Sequence, residues 1–176
     1  MDIAILDTNF IKIRGKRACF VVDPETSKSK AKIAADAIIL LKDPNDSDFS
    51  NIENYRVVIK RPGEYEVNGI MIAGRQTDGG IGYKIIVDGV NIVLGKTSDI
   101  AKILDKIDSC QLLILNADSE INQAIVSSLE PNIVILYGEK SIEGVKMDKK
   151  NSLPVQKYSL TKEKLPEEME VVVFSV

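Results

Sequence analysis

Three aspartates, Asp43, Asp46 and Asp48, follow directly on an apolar run in the stretch AIILLKDPNDSDFSNIE, residues 37–53. Carboxylates at that spacing have two uses. They can gather around a hard cation such as magnesium, manganese or calcium, which takes oxygen ligands. They can instead shape a turn, with Asp and Asn side chains accepting backbone amides and Pro44 fixing the bend. An EF-hand calcium loop starting at Asp43 needs glycine at its sixth place and glutamate at its twelfth. Those places hold Asp48 and Asn54, so the solvated turn is the better reading, with Asp48 or Ser50 starting a short helical turn.

The chain contains no histidine. That absence excludes Ser-His-Asp and Cys-His catalysis and every metal site built on imidazole. The two cysteines, Cys19 and Cys110, have no metal spacing, and each adjoins or lies in an apolar strand. They read as buried structural thiols. VLGKTSD, residues 93–99, suggests a phosphate-binding loop, but Val90 stands where its first glycine belongs. The residues between are a strand, which directs its amides to its neighbours. No desolvated lysine can be matched to a serine nucleophile in TSKSK, and Glu64 and Glu66 of PGEYEV read as the wet face of a strand.

The elements that must position these residues change period midway. Residues 2–6, 10–15 and 18–22 read as short strands, and 36–41 as a strand buried on both faces. Strands follow at 55–59 and within 61–74, where Asn68-Gly69 marks a tight turn. Asp88-Gly89 between apolar strands predicts a type I′ hairpin over 83–95. Ile100, Ile103, Leu104 and Ile107 predict an amphipathic helix over 98–107 with Ser98 as its cap. A buried strand over 110–117, a helix from Ile121 to Leu129 that stops before Pro131, and a buried strand over 132–138 come next. KSKAKIAA and TKEKL suggest helical turns, 157–160 a short strand and 169–176 a final one. Strands first and strand–helix alternation later argue two mixed sheets with outer helices in one α/β domain spanning 1–176.

The order of these strings resembles the metallo-β-lactamase superfamily, in particular the branch similar to ascorbate-6-phosphate lactonase. PGEYEV before a glycine-containing strand is the most specific of them. The resemblance implies an αββα sandwich and a metal-dependent hydrolase. Members of this kind carry His-x-His-x-Asp-His after the strand that AIILL matches. One register puts Pro44, Asp46, Asp48 and Phe49 on its four named positions and keeps only Asp48; a shift by one puts Asp43, Asn45, Ser47 and Asp48 there and keeps none. In the family's His-Leu-Gly-Asp string, Val93 replaces the histidine and Lys96 the aspartate. The next histidine meets GRQTDGG, and the last meets VILYG near Tyr137.

The expectation is therefore a degenerate member without metal or other cofactor, acting as a binding or structural protein. Its pocket would hold Asp46, Asp48, Arg75 and Lys96, with Lys96 neutralising the leftover carboxylates and, with Arg75, accepting an anionic small molecule. The alternative is an active hydrolase whose magnesium, manganese or calcium is held by Asp43, Asp46 and Asp48. A net charge of −3 gives no case for nucleic acid, no apolar run is long enough for a bilayer span, and the N-terminus lacks signal-peptide character. A cytoplasmic protein, compatible with homo-oligomers, is expected.

Overall fold

The computed structural model describes residues 1–24, 31–43, 48–142 and 153–176. The first half gives strands β1 (Asp2–Asp7), β2 (Phe10–Arg14), β3 (Cys19–Val22), β4 (Ile33–Ala34), β5 (Ala37–Ile39), β6 (Ile52–Glu53) and β7 (Val57–Ile59). β8 (Gly63–Val67), β9 (Ile70–Gln76), β10 (Ile81–Val87) and β11 (Val90–Lys96) form a meander. Then come α1 (Thr97–Ile100), β12 (Leu112–Asn116), α2 (Gln123–Leu129), β13 (Ile133–Tyr137), β14 (Lys157–Ser159) and β15 (Glu170–Val173). One sheet runs β14-β1-β2-β3-β5-β7 and the other β15-β13-β12-β11-β10-β9-β8, with β4 and β6 as a separate ribbon. Two mixed sheets with few helices make the two-layered α/β architecture that the sequence pattern anticipates.

Strand alternation sorts the side chains into layers. In β12, Leu112 and Ile114 enter the core between the sheets, while Leu113 and Leu115 pack outward with Ile100, Ile125 and Leu129. In β3, Phe20 and Val22 point inward, and Val21 joins Ile38, Leu40 and Ile52 on the opposite outer face. Among the described residues that face is covered by the β4–β6 ribbon rather than by a helix. The helical turn expected over KSKAKIAA falls partly on 25–30, outside the described residues, and Ile33–Ala34 are strand.

Both expected tight turns form: Asn68 and Asp88 have φ of 52° and 51°, followed by glycines at 76° and 80°. Both pairs fit the type I′ pattern, in which the two central residues take positive φ. The helix expected over 98–107 does not form. α1 stops at Ile100, and Leu104–Lys106 make a separate 3₁₀ turn. The apolar spacing is satisfied another way: Ile100 and Ile103 lie over Gly82, where an added Cβ would meet their Cδ1 atoms at 2.9 and 2.8 Å. Ser98 is not the cap; Lys96 holds that position, and the Ser98 hydroxyl donates to Asp118 at 2.6 Å. α2 begins later than expected because Asn122 caps it, accepting the Ala124 amide at 2.9 Å.

Candidate functional site at the strand ends

The parallel strands β11, β12 and β13 end side by side, with Lys96 in register with Asn116 and Asn116 with Tyr137. Residues in one cross-strand row share a face. Leu94 and Tyr137 lie in the core between the sheets, so Lys96, two positions after Leu94, faces that side as well. The floor of the strand-end site is therefore an ammonium, an amide and a phenol. Tyr137 is fully buried, and among the described residues its hydroxyl has no well-formed hydrogen bond, the Asn116 side chain being its polar neighbour. Burial, followed by the Asp23 carboxylate nearby, pushes its pKa well above the ordinary phenol value.

The other sheet supplies the opposite wall. Asp23, buried with φ of 50°, directly follows β3 and accepts the Leu41 amide at 2.9 Å. The Asn116 side chain donates to Asn9, in the β1–β2 turn, at 3.1 Å. Gly138 makes this approach feasible. Its φ is +100°, and a Cβ there would lie 2.8 Å from the Asn116 oxygen and 3.1 Å from that of Asn9. The Tyr83 hydroxyl donates across the layers to the Leu40 carbonyl at 2.8 Å. Burial first, then Tyr65, Asp23 and Asp43, raise the pKa of that phenol.

A third wall is the turn between β9 and β10. The Thr77 hydroxyl donates to Asp99 at 2.5 Å and accepts the Gly80 amide at 2.8 Å. Both residues are buried. Asp99 comes from α1, so this pair ties the glycine turn to the end of β11. Sequence reasoning missed Thr77, Asp99 and Asn116. The one signal was an aspartate placed inside an apolar helix pattern.

Beside this floor, next to Gln76 and Ile81, opens a cleft of about 400 Å³ whose charged lining is Lys42, Asp43, Lys60, Arg61 and Asp78. Lys60 pairs with Asp43 at 3.1 Å. Lys42, Arg61 and Lys96 make no ion pair among the described residues. With Asp43 paired to Lys60 and Asp78 to Lys102, Lys42 and Arg61 remain as donors that can meet an anion.

Of the four expected pocket residues, Asp46 lies outside the described residues. Asp48 is exposed and accepts the Ser50 amide at 2.8 Å, the Asx-turn role; that bond and the Ser50 hydroxyl hold its pKa below the usual carboxylate value. Arg75 and Lys96 are not brought together. Arg75 is in register with Gly82, whose missing Cβ points at Ile100 and Ile103 on the helical side of the sheet. Lys96 faces the other side. Consecutive strand residues alternate, and the glycine-rich turn between them hid the parity from a linear reading.

Zinc does not fit this donor set. It prefers imidazole and thiolate, and the chain has no histidine. Cys19 opens β3 and Cys110 precedes β12, so both thiols sit at the opposite ends of strands from the site. Val93 is buried on the helical side, not in the pocket. Among the described residues, no three His, Cys, Asp or Glu are grouped to hold a metal ion.

No family model matches the sequence, and no curated protein matches it closely. Solved structures do. A candidate zinc-dependent hydrolase of the metallo-β-lactamase superfamily from Thermotoga maritima superposes with a TM-score of 0.76 at 21% identity, covering 98% of this chain and 97% of that one. A candidate metal-dependent hydrolase from Parabacteroides distasonis gives 0.62 at 14% identity, over 82% and 86%. The metallo-β-lactamase fold protein YhfI from Bacillus subtilis gives 0.56 at 11%, over 99% and 96%. Likeness at such identity establishes the fold and leaves the chemistry to the residues. No helix among the described residues is long and apolar enough to cross a membrane.

Proposed function

We propose that this chain is a non-hydrolytic, metal-free protein on a hydrolase scaffold, which binds an anionic small molecule in the strand-end cleft. The Lys96–Asn116–Tyr137 row carries the reading. An ammonium at the end of β11 repels a metal ion and attracts an anion. Asn116 is already engaged with Asn9, which leaves the row rigid. Lys42 and Arg61 supply further donors at the mouth, and a guanidinium can hold a carboxylate or phosphate by two parallel bonds. Asp48 serves its own loop turn rather than a ligand shell, and Arg75, on the helical side of the sheet, has no part in it.

Metal and anion titrations test this. Excess zinc, manganese, magnesium or calcium should leave the melting temperature unchanged, because a ligand of the folded state must stabilise it. Inorganic phosphate should bind with measurable heat, and Lys96→Gln should weaken it about tenfold or more, as loss of a charged hydrogen bond does. A stoichiometric metal in natively purified protein would overturn the reading. Stabilisation by magnesium or calcium, abolished in Asp43→Asn, would favour the oxygen-ligated hydrolase instead.

A further inference from the structure

The opposite end of the molecule holds a second cavity of about 310 Å³, walled by Arg14, Gly15, Lys16, Arg17, Cys19 and Asp36 among others. We propose that it binds the phosphate group of a phosphorylated small molecule, independently of the strand-end cleft.

The two sites are far apart by topology. An added Cβ at Gly15 would meet Val87 and Asp88, so this cavity sits beside the turn from which β11 starts, whereas Lys96 ends β11. Its charge comes from one tight turn. The Gly15 amide donates to the Ala18 carbonyl at 2.9 Å, and the three basic side chains around it are all exposed. The turn is pinned from outside: the Asp88 carboxylate accepts the Lys16 amide at 2.9 and 3.2 Å and pairs with the Met1 ammonium at 3.3 Å. Arg17 is also placed. Its guanidinium lies over Gly69, where a Cβ would come within 2.3 Å of a terminal nitrogen.

The carboxylate in the wall is held by neutral donors and forms no ion pair with these cations, which outnumber it three to one. Asp36 accepts the Cys19 amide on one oxygen at 2.8 Å and the Asn68 side chain on the other at 3.0 Å. Arg14, Lys16 and Arg17 make no ion pair among the described residues. Three like charges in four positions repel one another, and an anion between them removes that cost. A phosphate suits two guanidinium forks and an ammonium better than a carboxylate does, since it offers more oxygens. The volume suits a small molecule, at the lower end of ordinary ligand pockets. The chain's net charge of −3 argues against an extended polyanion such as nucleic acid.

Inorganic pyrophosphate is the probe, followed by backbone amide shifts in solution. Saturating shifts at residues 15–19 and 34–36, reaching half-effect at or below ~1 mM, are expected. Arg14→Gln with Arg17→Gln should weaken binding by about tenfold or more. Lys42→Gln with Arg61→Gln should leave it unchanged, which separates this site from the cleft. Shifts confined to the strand-end residues, an unaltered affinity in the Arg14/Arg17 variant, or no saturation would each overturn the proposal. Tighter binding of a short single-stranded DNA than of pyrophosphate would overturn it too.

Discussion

Thr77→Val is the sharpest test of how the strand-end site is held. The replacement keeps the volume and removes one hydroxyl. That hydroxyl has a single proton. The Gly80 carbonyl already accepts the Thr77 amide at 2.9 Å and the Gln76 side chain at 3.1 Å, so the proton is directed to Asp99 at 2.5 Å. The variant loses that bond and the acceptor of the Gly80 amide. Asp99 is 2% exposed, too little for water to substitute freely. A hydrogen bond to a carboxylate contributes ~1.5–3 kcal/mol and a neutral one ~1 kcal/mol, so the loss is about 3 kcal/mol. For a domain of this size ~2–4 °C accompanies each kcal/mol, giving a fall of about 6–12 °C in melting temperature. Calorimetry or a thermal circular-dichroism scan reads it. Thr77→Ser keeps the hydroxyl and should recover most of the loss. A Thr77→Val melting point within about 2 °C of the parent would refute the reasoning, since it would put the pair's contribution below ~1 kcal/mol.

Further outcomes follow from the same geometry. Gly80→Ala should be more damaging than Gly79→Ala in denaturant titrations: the first Cβ would lie 2.3 Å from the Leu41 carbonyl and 2.7 Å from Asp99, the second only 2.9 Å from Asp99. Stability should fall as pH rises from about 9. Burial lifts the Cys110 thiol from 9.0 to about 12, and burial with Glu170 lifts the Tyr158 phenol from 10.0 to about 12. The folded state keeps these protons where the unfolded chain has lost them, so the stability they contribute is intact below pH 9 and lost through pH 12. Urea midpoints measured across that window check it, and Cys110→Ser should flatten the early part of the decline. In native protein at neutral pH, a thiol reagent should label Cys110 no faster than global unfolding, because the site is buried and its thiolate scarce.

The sequence pattern made the hairpins and the buried parallel strands legible. Asp88-Gly89 needs only its own two positive φ angles to define a turn, and LLILN can be nothing but interior once flanked by loops. What it hid depends on contacts between distant positions. The Asn116–Asn9 bond joins residues 107 apart, and no local rule signals it. The 98–107 helix failed for a related reason. Its apolar spacing is real, but Asp99 is fixed to Thr77 and Ile100 and Ile103 settle over Gly82, so tertiary anchoring overrode a continuous helix. Arg75 was misplaced because one residue of strand parity decides a face. The residue before Gln76 goes to the helical side; Gln76, paired with Ile81, goes to the pocket side with Lys96.

That parity rule also separates the residues that set the shape of the scaffold from those that set its chemistry. The inner row at the strand ends is set by backbone register, which the buried residues of β11, β12 and β13 fix through both of their faces. Side chains in that row lie at the last position of each strand, where the inter-sheet core, which still includes Tyr137, gives way to the polar site. Such positions accept an ammonium, an amide or a phenol as readily as metal ligands, provided the polar groups around them are satisfied. Asn116 satisfies this through Asn9, and Asp99 through Thr77. Tyr137 is the exception: among the described residues its buried hydroxyl has no well-formed hydrogen bond, with Asn116 as its polar neighbour. That hydroxyl is the group whose desolvation a bound polar ligand would relieve, and Asn116 stands between it and Lys96, the cation of the floor.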